Sequence, residues 1–124
     1  MTELTRRLRD GGGWEDKAGY SRAVRRFGHI AVSGTTAPGS DTYEQTHAAL
    51  ARALAAVGAL GGSVDDVVRT RVFLMPGADW EAASRAHADL LGHVAPANTM
   101  LHVAGLIGSE FLVEVEVDAE VSGE

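Results

Sequence analysis

Residues 113 to 120 read VEVEVDAE, an apolar side chain and an acidic one in strict alternation. A period of two belongs to a strand, whose successive side chains point to opposite faces of a sheet. Val113, Val115, Val117 and Ala119 therefore belong against a core, while Glu114, Glu116, Asp118 and Glu120 belong to solvent or a polar partner. A helix with this pattern would bury carboxylates on every side, at prohibitive cost. The chain must build a sheet with one covered face, and the rest of the sequence must supply the neighbours and the cover.

Two segments of helical period provide the cover. From Asp41 to Leu60, the residues Tyr43, Thr46 or His47, Leu50, Leu54, Val57 and Leu60 recur at three- and four-residue spacing. Asp41 or Thr42 stands ready to cap the start, and Gly61-Gly62 to end it through a residue at positive φ. The second helix is predicted from about Asp79 to Val94, with Trp80, Ala83, His87 and Leu91 on one side and Pro96 closing the link. Strands are predicted for a hairpin within Tyr20 to Gly34 turned at Phe27-Gly28, for Val67 to Met75, for Thr99 to Leu106, for Phe111 to Val121, and near Leu4 to Leu8. Gly11-Gly12-Gly13 before Trp14 reads as a loop. Alternating strands and helices give an α+β chain with a mixed sheet and right-handed crossovers. Two helices cover only one face, yet Val67 to Met75 is apolar on both, so the other face is expected to be buried against further copies of the chain.

Composition narrows the function. The length of 124 residues fits a single domain spanning 1–124, and the absence of cysteine removes disulfides, thiolate metal sites and a thiol nucleophile. A net charge of −6 repels phosphate backbones, so nucleic acid is an improbable partner despite Arg6, Arg7, Arg9, Arg22, Arg25 and Arg26; a solvated strand face or intersubunit ion pairs account for those better. His87 and His93 fall on different helix faces and no metal-binding spacing occurs, so no metal is expected. Ser33 lacks a nucleophile elbow. No apolar run approaches a membrane span, no signal-peptide pattern opens the chain, and a cytoplasmic location is the expectation.

The stretch ANTMLHVAG, residues 97 to 105, carries the candidate site. Thr99, Leu101 and Val103 are expected on the core face, leaving Asn98, Met100 and His102 together on the other. The link to the last strand is short, so antiparallel pairing would set Glu114 close to Met100 and His102 as the wall of a pocket. His102 would then pair with Glu114 and tune its basicity, or serve as a structural or interface histidine.

The segments GYSRAVRRFGHIAVSGTTA, VDDVVRTRVFL and ANTMLHVAGLIGSEFLVEVEVDA together resemble the RidA/YjgF reactive-intermediate deaminase family, also labelled L-PSP endoribonuclease. The resemblance implies a chorismate-mutase-like (bacillus type) mixed sheet of about six strands with two helices packed on one face. It further implies a homotrimer with clefts between subunits, and hydrolysis of enamines or imines without cofactor or metal. The family's pocket tyrosine matches Tyr20, its strand-end glycine Gly34 and its water-positioning carboxylate Glu114, with Glu116 as the fallback if the alignment slips. Met100 stands at the family's cysteine position and Ser84 at that of a helper asparagine, and Asn98 replaces the arginine that grips a substrate carboxylate. With Thr99 and His102 these residues would set selectivity for a small-molecule ligand. Two readings stay open: a hydrolase or deaminase-like enzyme whose ligand lacks the usual carboxylate, and a non-catalytic binding or regulatory trimer. The acidic charge argues against the ribonuclease label.

Overall fold

The computed structural model describes residues 4–122. In chain order the elements are β1 (Thr5–Leu8), α1 (Gly13–Ala18), β2 (Ala23–Arg26), β3 (His29–Thr35), α2 (Thr42–Ala59), β4 (Val67–Leu74), α3 (Trp80–Leu91), β5 (Ala97–His102) and β6 (Val113–Glu120). One six-stranded sheet has the order β1-β2-β3-β6-β4-β5, with β4 and β5 parallel and the other neighbours antiparallel. The expected α+β architecture is the one observed.

The alternating strand β6 sits near the middle, where its apolar parity is most useful. Val113, Val115, Val117 and Ala119 are all fully buried, beneath a layer formed by α2 and α3. From β4 the same face receives Thr70, Val72 and Leu74, and from β3 Ile30 and Val32. Leu50, Ala53 and Val57 of α2 and Ala83 and Leu91 of α3 close the core from above. Both main helices begin on an aspartate: Asp41 accepts the Glu44 N–H at 2.9 Å and Asp79 the Ala82 N–H at 3.1 Å. Helix α2 ends where Gly61 adopts φ +89°, and its last free carbonyl, that of Leu60, accepts from Arg6 and Arg25 at 2.9 Å each.

Three expectations are corrected. The glycine run leads into α1 rather than a plain loop: the buried Glu15 carboxylate accepts the backbone N–H groups of Asp10, Gly11 and Arg22 at 3.1 to 3.2 Å and so fixes the first turn. Of the arginines expected in a solvated face or intersubunit pairs, Arg6 and Arg25 have their partner within the chain on the Leu60 carbonyl that follows α2, Arg9 on Asp16 and Arg22 on Gly34, while Arg7 and Arg26 lie exposed on their strands as a solvated face requires. The last two strands are not neighbours, because β4 lies between β5 and β6. A link spanning residues 103–112 easily crosses one intervening strand, a step of about 9.6 Å at ordinary strand spacing.

Candidate functional site

Strand β5 takes the register opposite to the expected one. Thr70 pairs with Asn98, Val72 with Met100 and Leu74 with His102, and residues paired across strands share a face. Asn98, Met100 and His102 thus lie on the helix-covered side, while Thr99 and Leu101 join Arg71, Phe73, Glu114 and Glu116 on the open side. The inference of a pocket wall uniting Glu114 with Met100 and His102 is overturned, and so is a His102–Glu114 pair: Phe73 of β4 is the residue opposite Glu114, and His102 Nε2 lies 3.3 Å from the Ala78 carbonyl.

The candidate residues form two clusters in one chain. The first is a cleft of about 490 Å³ between the β5 edge and α3, lined by Trp80, Ser84, Asn98, Met100 and His102 among others. Asn98 Nδ2 donates to Thr70 Oγ1 at 3.0 Å, and the same hydroxyl lies 2.8 Å from His87 Nε2. Thr70 is fully buried, and burial pushes the His87 imidazole below its ordinary pKa, so the ring is neutral at pH 7. Ser84 Oγ donates to the Trp80 carbonyl at 2.9 Å and sits 3.6 Å from Met100 Sδ. Thr99, on the open side, is not part of this cleft.

The second cluster surrounds Glu114. Gly34 faces Glu114 closely enough that a Cβ there would displace the Glu114 carboxylate. The Arg22 guanidinium donates to the Gly34 carbonyl at 2.7 Å, and its buried Nε has no protein partner. Ser33 fastens this region to the tyrosine segment: its Oγ donates to the Ser21 carbonyl at 2.6 Å and its N–H to the Arg22 carbonyl at 3.0 Å. Tyr20, adjacent in sequence, is 41% exposed and lines a separate hollow of about 330 Å³ with Arg7 and Arg9. Burial lifts the Glu114 carboxyl above its ordinary pKa and the nearby Glu116 adds to the rise, against the opposing pull of Arg22. Glu116 is differently engaged, 3.4 Å from the Arg71 guanidinium that also approaches Asp118.

Sequence reasoning missed Arg22, Thr70 and His87 as site residues. Thr70 carried a signal, since it shares parity with Val72 and Leu74 and a core hydroxyl needs a partner. Among the described residues no group of three or more His, Asp or Glu side chains converges as a metal site, and no helix is long and apolar enough to cross a membrane.

A mixed six-stranded sheet under two helices, with a backbone glycine facing a half-buried carboxylate, defines a chain of the YjgF type. The family model described as Endoribonuclease L-PSP matches residues 15–121, and the chain belongs to this family, the RidA/YjgF family. An uncharacterised protein of Streptomyces coelicolor is 40% identical over 125 residues, covering 95% of this chain and 93% of that one. A Mycobacterium tuberculosis member of the YjgF/YER057c/UK114 family superposes with a TM-score of 0.90 at 38% identity, over 94% of this chain and 99% of that one. Escherichia coli TdcF, solved with bound serine, shares the fold at a TM-score of 0.80 and 20% identity, over 98% of this chain and 100% of that one.

Proposed function

We propose that the protein binds a small metabolite in clefts completed between copies of the chain, as a homotrimer, and hydrolyses a neutral enamine or imine there without a cofactor. The observation that carries this reading is the separation of the two clusters: Asn98, Met100 and Ser84 lie at the β5 edge, while Tyr20, Gly34 and Glu114 lie across β4 on the other face or toward the β1–β2 edge. Among the described residues no carboxylate lines the β5 cleft, and Glu114 lies outside it. A head-to-tail contact between copies would join them, and such contacts form closed rings when the rotation closes.

In that site Glu114 is the acid–base group. A carboxyl with a raised pKa populates both protonation states nearer neutrality, so it can protonate the imine nitrogen and then, as carboxylate, take a proton from the attacking water. Water adds to the imine carbon, Glu114 returns the proton it took to the amine nitrogen, and the carbon–nitrogen bond breaks as the hydroxyl gives its proton to the carboxylate, so that ammonia leaves a carbonyl product. Tyr20 and the Gly34 backbone would orient the ligand, and Asn98, Met100, Ser84 and His102 would set selectivity. TdcF, which shares the fold, holds serine, and a ligand of that size is the class proposed for this chain.

Asn98 in place of the family arginine favours a second reading, a binding or regulatory trimer without catalysis. One assay separates them. Wild type is expected to speed hydrolysis of a freshly generated neutral ketimine by about 10²–10⁴-fold, the usual worth of general acid–base catalysis, and Glu114→Gln to abolish the gain. A freshly generated 2-imino acid should require Asn98→Arg. If no imine is accelerated by wild type or by Asn98→Arg, the enzymatic reading fails and the binding protein stands.

A further inference from the structure

The polarity of the β5 cleft is set by groups that already have partners. The Ala78 carbonyl can only accept, so His102 Nε2 carries the proton shared with it. Ser84 directs its one hydroxyl proton to the Trp80 carbonyl, leaving lone pairs toward the cleft, and Met100 contributes a thioether sulfur. Thr70 is the key to Asn98. Its hydroxyl accepts from Asn98 Nδ2 and is fully buried, and the arrangement that pairs every proton has it donate to His87 Nε2. With Nδ2 committed inward, the amide presents its Oδ1 carbonyl outward, with one remaining N–H beside it. Among the described residues no lysine or arginine lines the cleft. Apart from that N–H and the Trp80 indole, the cleft offers acceptors.

Building on the reading of this cleft as a ligand site, we propose that it selects a neutral group carrying hydrogen-bond donors, a primary carboxamide above all, where the family arginine would take a carboxylate. A carboxamide matches the Asn98 edge with one bond in each direction. A carboxylate would accept from the single N–H and set its second oxygen against Oδ1, an unpaired and repulsive contact. Thr70 and His87 are positioning residues: they hold the amide in the orientation that gives the cleft this polarity.

The test uses three probes of nearly equal shape, lactamide, methyl lactate and lactate, titrated at constant ionic strength into protein labelled with carbon-13 in its methionine methyls. The Met100 methyl reports occupancy. Lactamide is expected to bind about tenfold or more tightly than either of the others, the ester being neutral like the amide but without its N–H donors. Thr70→Val should erase the preference, Thr70→Ser should keep it, and Asn98→Arg should turn it toward lactate. Equal binding of lactamide and methyl lactate, or tighter binding of lactate by wild type, would overturn the selectivity while leaving the cleft a ligand site. If none of the three shifts Met100 in wild type or in Asn98→Arg, both the selectivity and the ligand site are refuted.

Discussion

At the scale of single residues, Glu114 is the group whose surroundings most alter its chemistry. Its raised pKa has a consequence for stability that is independent of any substrate. A carboxyl whose folded pKa exceeds its unfolded pKa favours the folded state fully below the unfolded value, and that contribution is lost as the pH rises through the folded value. The ionised form is the one the fold disfavours, through partial burial and the nearby Glu116. Glu114→Gln does not ionise, so its melting temperature relative to wild type should climb as the pH rises out of the ordinary carboxylate range and level off once the folded carboxyl has ionised. A flat difference across that range would show that the carboxyl is as well solvated folded as unfolded. The sequence made Glu114 legible because the alternation of residues 113 to 120 fixes its parity. The Gly34 contact and the Thr70–His87 relay were not legible, since each joins residues whose meeting depends on sheet order and helix placement.

At the scale of elements, helix ends were readable and strand neighbours were not. Asp41 and the Gly61 stop act within a few residues of the helix they bound, so local chemistry reveals them. The order β6-β4-β5 depends instead on which strand buries the most apolar surface, and a short link between β5 and β6 misleads because it can pass over β4. The end of α2 carries one long-range feature, the buried Arg25 guanidinium, which bonds the Leu60 carbonyl through Nη1 and the Phe27 carbonyl through Nε at 2.7 Å. This ties the hairpin of β2 and β3 to the helix packed over it. Arg25→Ala removes both bonds and is expected to cost about 1.5–3 kcal/mol in equilibrium denaturation by urea, the range for hydrogen bonds to charged groups. Arg6 also reaches Leu60 but is less buried, so Arg6→Ala should cost less. Equal losses would mean that the helix terminus, rather than the Phe27 bond and the burial of Arg25, carries the effect.

At the scale of the whole molecule, the open face of the sheet is what a lone chain leaves unfinished. Phe73 and Leu101 sit side by side on it, Leu101 40% exposed, next to a β5 edge that has no proline or lysine to deter pairing. Glu116 and Asp118 answer Arg71 within the chain, which lowers the charge cost of covering that face. The same edge holds the Asn98 half of the proposed site, so assembly and site completion depend on one surface. In the proposed site a second copy would cover this face and supply the missing Glu114 half, and three is the number the family resemblance implies. Sedimentation should therefore find wild type at about three times the 13.0 kDa chain mass. Leu101→Arg places a charge on the open face, outside the core, at a residue that also borders the α3 cleft. It should shift the protein toward monomer with unchanged far-ultraviolet circular dichroism, and should remove imine hydrolysis together with assembly. A wild-type monomer that hydrolyses imines would refute the shared site. A Leu101→Arg trimer would show that the copies meet elsewhere on the sheet.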